Sequence, residues 1–272
     1  MSNIVVRTLS GAVFITLILV PLFLNRDFLY YPILFLFLLL GVVEFHNLFK
    51  ADGKVQIAKN LANVIVVLAS AIFAFSLTNI FYFRFIIFIP FLFLILLIAE
   101  LYRKKEQPIL NIALPMMSFL YVGIPLVMAM TFQRVTGFEF PYLALMFILI
   151  WTNDTFAYLC GRAFGKTKLF ERISPNKTWE GTVGGIICTF LMIFIASLIF
   201  TIPNPIFWYV AVLFIAPAGI FGDLVESLFK RTLGIKDSGN IMPGHGGILD
   251  RFDAALFAIP AFILWYVIYT LI

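Results

Sequence analysis

Long runs of Leu, Ile, Val and Phe alternate along the chain with short polar breaks, and the runs show no period-two alternation. Alternation marks the strands of a membrane β-barrel, whereas unbroken apolar runs of about 20 residues mark helices that cross a bilayer. Cutting the runs at charged and turn-forming residues predicts nine spans, at 8–24, 28–43, 61–78, 81–101, 109–131, 141–160, 182–202, 205–222 and 252–272. Only Thr78 and Asn79 separate the third from the fourth, and Arg84 interrupts the start of the fourth. That pair is where two spans are most easily merged into one.

The pattern therefore predicts an all-α, polytopic integral membrane protein with about nine transmembrane helices. Residues 1–140 hold five spans and residues 141–272 hold four, together with most of the chemistry-bearing side chains. The basic residues orient the chain. With the N-terminus in the cytoplasm and the C-terminus outside, only Arg26, Arg84 and Arg134 of the 19 Lys and Arg residues fall on the outer side, the asymmetry of the positive-inside rule. Arg7 ahead of the first run is also what a signal peptide would show. However, Pro21-Leu22-Phe23-Leu24-Asn25 offers no small-x-small cleavage site, so that run reads as a retained helix.

Composition sharpens the picture. The 272 residues are 62% hydrophobic and 12% charged, with mean hydropathy +1.05, where a soluble domain carries roughly a quarter charged residues. This excludes a soluble globular enzyme, a disordered chain and a nucleic-acid-binding domain, despite a pI near 9.2. Cys160 and Cys188 fall at or inside spans and read as buried thiols, forming neither a disulfide framework nor a zinc site.

Two polar connections, 161–181 and 223–251, hold nine of the 19 basic residues and face the cytoplasm in this topology. A transporter concentrates its polar residues near mid-membrane, whereas here they gather at one face. Asp154 lies within the sixth span, where an ionised carboxylate is costly unless it meets a polar cavity, a metal or a cation. A helix–helix hydrogen bond through Asn153 is the bland alternative.

In the second polar connection, Asp223, Glu226, Ser227 and Lys230 have i, i+3, i+4, i+7 spacing, which places them on one face of a helix continuing out of the eighth span. A solvated helix end would give the same stripe. The residues beyond the stripe are more telling: Lys230-Arg231, Lys236-Asp237, Pro243-Gly244-His245-Gly246-Gly247 and Asp250-Arg251-Phe252-Asp253 lead directly into the ninth span. Glycines around His245 let a backbone approach phosphate oxygens closely. Asp250 and Asp253, three apart on one helix face, can join Asp223 in offering oxygen ligands to a divalent cation. Lys230, Arg231 and Lys236 would neutralise phosphate charge. A polybasic lipid tether needs no such interleaved acids. In the first connection, Ser174-Pro175-Asn176-Lys177-Thr178-Trp179-Glu180-Gly181 opens the seventh span, with Ser174 or Thr178 as candidate cap and Trp179 suited to the interface.

Three segments carry a resemblance. Ser227-x-x-Lys230-Arg231-x4-Lys236-Asp237-x5-Pro243-Gly244-His245-Gly246-Gly247-x-x-Asp250-Arg251-x-Asp253 closely resembles the signature of the phosphatidate cytidylyltransferases, or CDP-diacylglycerol synthases. Asp154-x3-Tyr158-x2-Gly161-Arg162-x2-Gly165-Lys166 and Ser174 to Gly181 are similar to the same family, whose members often have Lys where this chain has Asn176. The resemblance implies condensation of CTP with phosphatidic acid to CDP-diacylglycerol and pyrophosphate. It implies a requirement for Mg²⁺, a second metal ion being compatible with the chemistry, and a homodimer as the family's expectation. The expected metal ligands are Asp223 and Asp250 first, then Asp253 and Asp154. Lys230, Arg231 and His245 join Asp223, Asp250 and Asp253 as catalytic candidates. Lys177, Ser227, Lys236, Gly244, Gly246, Gly247 and Arg251 are the candidate substrate contacts. A multi-pass protein of the bacterial inner membrane, with its site facing the cytoplasm, is the expected setting.

Two other readings stand beside this one. A transporter coupling ion movement through Asp154 would show ionisable residues in several spans and internal repeats, and neither stands out. A cytidylyltransferase acting on another lipid phosphate, such as a polyprenol phosphate, would look the same from sequence, because generic apolar surface would hold either tail.

Overall fold

The computed structural model describes residues 3–24, 27–50, 55–79, 81–136, 140–242, 244 and 246–272. Among these residues ten α-helices run in order: α1 (Asn3–Leu24), α2 (Asp27–Lys50), α3 (Lys59–Ser76), α4 (Phe88–Arg103), α5 (Pro108–Ser118), α6 (Ile124–Thr136), α7 (Tyr142–Phe164), α8 (Trp179–Ile199), α9 (Pro205–Thr232) and α10 (Leu249–Leu271). A 3₁₀ turn (Phe83–Ile87) leads into α4, and a π-helical turn (Phe119–Gly123) joins α5 to α6 as one crossing. Eight helical stretches among the described residues are long and apolar enough to span a membrane, and the apolar stretch 8–24 is a shorter one. The fold is all-α and polytopic. The third and fourth predicted spans stay separate, at Lys59–Ser76 and Phe83–Arg103. Asn79 makes the break: its side chain accepts from Phe81 N at 3.0 Å and its carbonyl from Tyr82 N at 2.9 Å, closing a turn.

By contacts the chain forms two compact units. One comprises Met1–Pro141 with Thr232–Phe252, the other Tyr142–Arg231 with Asp253–Ile272. In the first, α2 is a central element, with Leu38, Val42 and Phe45 all buried. Phe252 packs against Phe14 and Phe37 at ring-centroid distances of 5.5 and 5.0 Å. Two buried polar groups here find partners inside the unit: the Tyr30 hydroxyl donates to Ala129 O at 2.6 Å, and the Asn111 amide donates to Glu100 at 2.7 Å.

In the second unit α7 and α8 pack closely along small residues. A side chain at Gly181 would collide with the Ala157 carbonyl and Gly161, and one at Gly185 with Asn153. Trp208, fully buried, stacks on Phe262 and Tyr142, while Trp265 Nε1 donates to Phe207 O at 3.0 Å. Farther along the same helices, Gly222 of α9 lies against the Asp253 backbone of α10, where any Cβ would overlap the Asp253 carbonyl. That close approach brings carboxylates from two helices together.

An element not anticipated from sequence interrupts the helical pattern. β1 (Lys168–Phe170) pairs antiparallel with β2 (Ser174–Thr178) in a small hairpin. Several helices also extend past the predicted spans. α7 continues to Phe164 and α9 to Thr232, because the polar residues taken as exits from lipid continue the helical hydrogen bonding.

Candidate functional site

α9 presents Asp223 and Glu226 three residues apart on one face, and α10 contributes Asp253. Ligand oxygens of these three carboxylates lie within 4.8 Å of one another, with Glu226 buried and the other two half-buried. Like charges this close are unfavourable without compensation, and two lysines supply some. Lys177, on β2, pairs with Asp223, and Lys230 pairs with Glu226 at 2.7 Å, one helical turn on. Ser227 Oγ donates to Asp223 Oδ1 at 3.2 Å. An all-oxygen donor set of this density fits a hard divalent cation such as Mg²⁺ and lacks the Cys and His ligands usual for zinc.

Asp154 faces the same unit. It is exposed, and Lys177 and Asp223 are its main charged neighbours, with Asn153 as a side-chain hydrogen-bond partner. Because α7 runs on to Phe164, Asp154 lies ten residues from the helix end, roughly 15 Å at 1.5 Å per residue. The Asn153 contact lies within α7, between neighbours in sequence, and is not the helix–helix bond offered as an alternative.

The hairpin explains how Lys177 is aimed. Glu180, in the first turn of α8, accepts from the backbone N–H of Lys166 and of Thr167 at 3.1 Å. Of the two candidate caps the helix uses Thr178: its Oγ1 accepts from Gly181 N at 3.1 Å. Trp179 N donates to Thr167 O, and Lys168 Nζ to Pro175 O. These bonds fix β2 at both ends and leave Lys177 directed at Asp223. Arg231, exposed at the end of α9, brings Nε to 3.5 Å from Ile173 O.

The glycine-rich stretch lies in the first unit. Gly244 and Gly246 have φ of +75° and +80°, a region that favours glycine, and Met242 N donates to Gly246 O at 2.9 Å. Asp250 Oδ2 accepts from Ser238 N at 2.9 Å and from Gly247 N at 2.8 Å, and lies 2.9 Å from Ser238 Oγ. The carboxylate expected among the first metal ligands thus holds the loop closed, and the Gly247 N–H is committed to it. Lys236 and Gly244 are exposed; Arg251 is half-buried, and its Nε is buried without an acceptor among the described residues. His245 and Pro243 lie outside the described residues.

Two functional candidates escape a reading of the sequence alone. Glu226 stands there only as a member of the α9 stripe, and its position three residues after Asp223 is the signal for a shared ligand set. Glu44 gives no comparable signal. It is buried on α2 and accepts from Ser238 Oγ at 2.5 Å, Ile248 N at 2.8 Å and Leu249 N at 2.9 Å.

Comparison with known proteins bears on the family of the chain. Curated proteins named phosphatidate cytidylyltransferase match from Staphylococcus saprophyticus (45% identical) and Staphylococcus haemolyticus (44%), each over 168 residues. A third, from Staphylococcus aureus, is 44% identical over 159 residues. These alignments cover 58–61% of this chain and 60–63% of the relatives, so the match spans about three fifths of their length. A model of the Cytidylyltransferase family matches residues 5–269, taking in the carboxylate cluster, the hairpin and the glycine loop. The chain belongs to the cytidylyltransferase family.

Proposed function

We propose that this protein is an integral membrane nucleotidyltransferase of phospholipid biosynthesis, condensing CTP with phosphatidic acid to give CDP-diacylglycerol and pyrophosphate. The observation that carries the reading is the convergence of Asp223, Glu226 and Asp253 with Lys177 and Lys230 in the second unit, on helices that are otherwise largely apolar. A phosphate oxygen of the lipid attacks the α-phosphorus of CTP, forming one P–O bond as the bond to the β-phosphate's bridging oxygen breaks. The nucleophile is already anionic, so no strong general base is needed. The task is to bring two polyanions together and hold the charge of the departing pyrophosphate.

Asp223, Glu226 and Asp253 would hold Mg²⁺, with Asp154 as the further carboxylate nearest them. Bound there, Mg²⁺ would supply charge neutralisation of phosphate oxygens and orient the leaving group. Lys177 and Lys230 are assigned to phosphate, together with Arg231, Lys236 and Arg251. Gly244, Gly246 and Gly247 shape the loop over the nucleotide, and His245 would donate a proton rather than take one. The protein is placed in the bacterial inner membrane, N-terminus inside, with the site open to cytosolic CTP and to lipid in the inner leaflet.

Substrate choice tests the reading. Purified protein in detergent with Mg²⁺ is given CTP or ATP, and phosphatidate or a polyprenol phosphate, and pyrophosphate release is monitored. Release with CTP and phosphatidate alone is the expected result. Release with polyprenol phosphate in place of phosphatidate would move the substrate assignment, and release with no pair would overturn the activity.

A further inference from the structure

Glu44 lies far in sequence from every residue of the signature, yet it holds the start of α10. Its two oxygens accept from the Ile248 and Leu249 amides and from the Ser238 hydroxyl. The first amides of a helix have no partner within the helix and carry the positive end of its dipole, a position where a phosphate often binds. Here a carboxylate of the protein's own occupies it.

The glycines of the loop are explained by the same group. A Cβ on Gly247 would overlap both Glu44 oxygens, and one on Gly239 would press on the same carboxylate. A Cβ on Gly246 would instead meet the Asp250 carboxylate. Ser238 lies between the two acids, 2.5 Å from Glu44 and 2.9 Å from Asp250. Glu44 and Ser238, both buried, and Asp250, half-buried, therefore form one polar junction, which holds residues 238–239 and 246–250 together.

We infer that Glu44 is a positioning residue for the nucleotide: acting through Ser238 and the amides of Ile248 and Leu249, it sets the shape in which the glycine loop meets CTP. Gly247, in this arrangement, is glycine chiefly to make room for Glu44, and not to offer its N–H to phosphate. The inference rests on the proposed reaction for its kinetic consequence, but its structural content stands on the hydrogen bonds alone.

The test uses the purified full chain with Glu44→Gln, which keeps one acceptor oxygen and nearly the same volume, beside Glu44→Ala. Two readouts are taken: hydrogen exchange of the segment containing Ile248 and Leu249, and KM for CTP against kcat. Loss of charged-acceptor hydrogen bonds should speed exchange and raise KM for CTP, each by about tenfold, with a smaller change in kcat. Gly247→Ala should raise KM in the native background and add little to Glu44→Ala, since the space is then vacant. Unchanged exchange in folded Glu44→Gln would overturn the inference. So would faster exchange with an unchanged KM, because Glu44 would then be purely structural. If native protein shows no CTP turnover, the proposed reaction fails, while the exchange measurement still decides whether Glu44 holds the loop.

Discussion

Two lysine–carboxylate pairs meet at the carboxylate cluster, and their burial separates their roles. Lys230 and Glu226 expose 13% and 0% of their side chains, so breaking that pair leaves a desolvated charge behind. Lys177 and Asp223 expose 26% and 35%, a setting in which an ion pair contributes about 0–1 kcal/mol to stability. Lys177→Met should therefore leave Tm almost unchanged while raising KM for CTP about tenfold, the size expected for loss of one charge-assisted phosphate contact. Steady-state kinetics beside a thermal melt would check this, and an unchanged KM would remove Lys177 from the substrate site. Asp223, Asp253, Lys177 and Lys230 are legible in the sequence because charged residues in so apolar a chain need a reason to be there. Glu44 is not. A polar residue after an apolar run reads as the exit from lipid, so the second predicted span ends at Val43. The helix in fact continues to Lys50, and the carboxylate finds its donors about 200 residues away in the chain.

At the scale of elements, the site depends on how closely α9 and α10 approach. Gly222 sets that distance, since a Cβ there would overlap the Asp253 carbonyl. Gly222→Val should force the helices apart and destabilise the protein by about 1–3 kcal/mol, as overpacking does. A lower Tm with a parallel loss of activity is the expected outcome, and a native Tm would show that α9 and α10 tolerate separation. The helices themselves are readable from apolar runs, with ends displaced where polar side chains extend the last turns. The hairpin is not readable. Ser-Pro-Asn-Lys-Thr has none of the apolar–polar alternation that marks a strand, and β2 is held by the Glu180 and Thr178 bonds at its borders. Those are side-chain-to-backbone contacts that only the folded chain assembles.

Across the whole molecule, composition and charge placement agree with the chemistry proposed. CTP is soluble and the lipid acceptor is not, so a protein joining them needs a lipid-embedded body and a charged region at one interface. The eight long apolar helical stretches among the described residues meet the first need, and the two polar connections hold nine of the 19 basic residues. The polytopic fold and the charged connections can thus be read from sequence. The convergence of Asp223, Glu226 and Asp253 depends on the close packing at Gly222 and is not legible in the sequence. The most direct test is phosphatidate-dependent pyrophosphate release from CTP, titrated with Mg²⁺, for native protein beside Asp223→Asn. The expected result is saturable, Mg²⁺-dependent release by the native protein and a loss of at least about 100-fold in the folded variant, about 2.7 kcal/mol of transition-state stabilisation. Release that is independent of Mg²⁺, or full activity in Asp223→Asn, would contradict the proposed site.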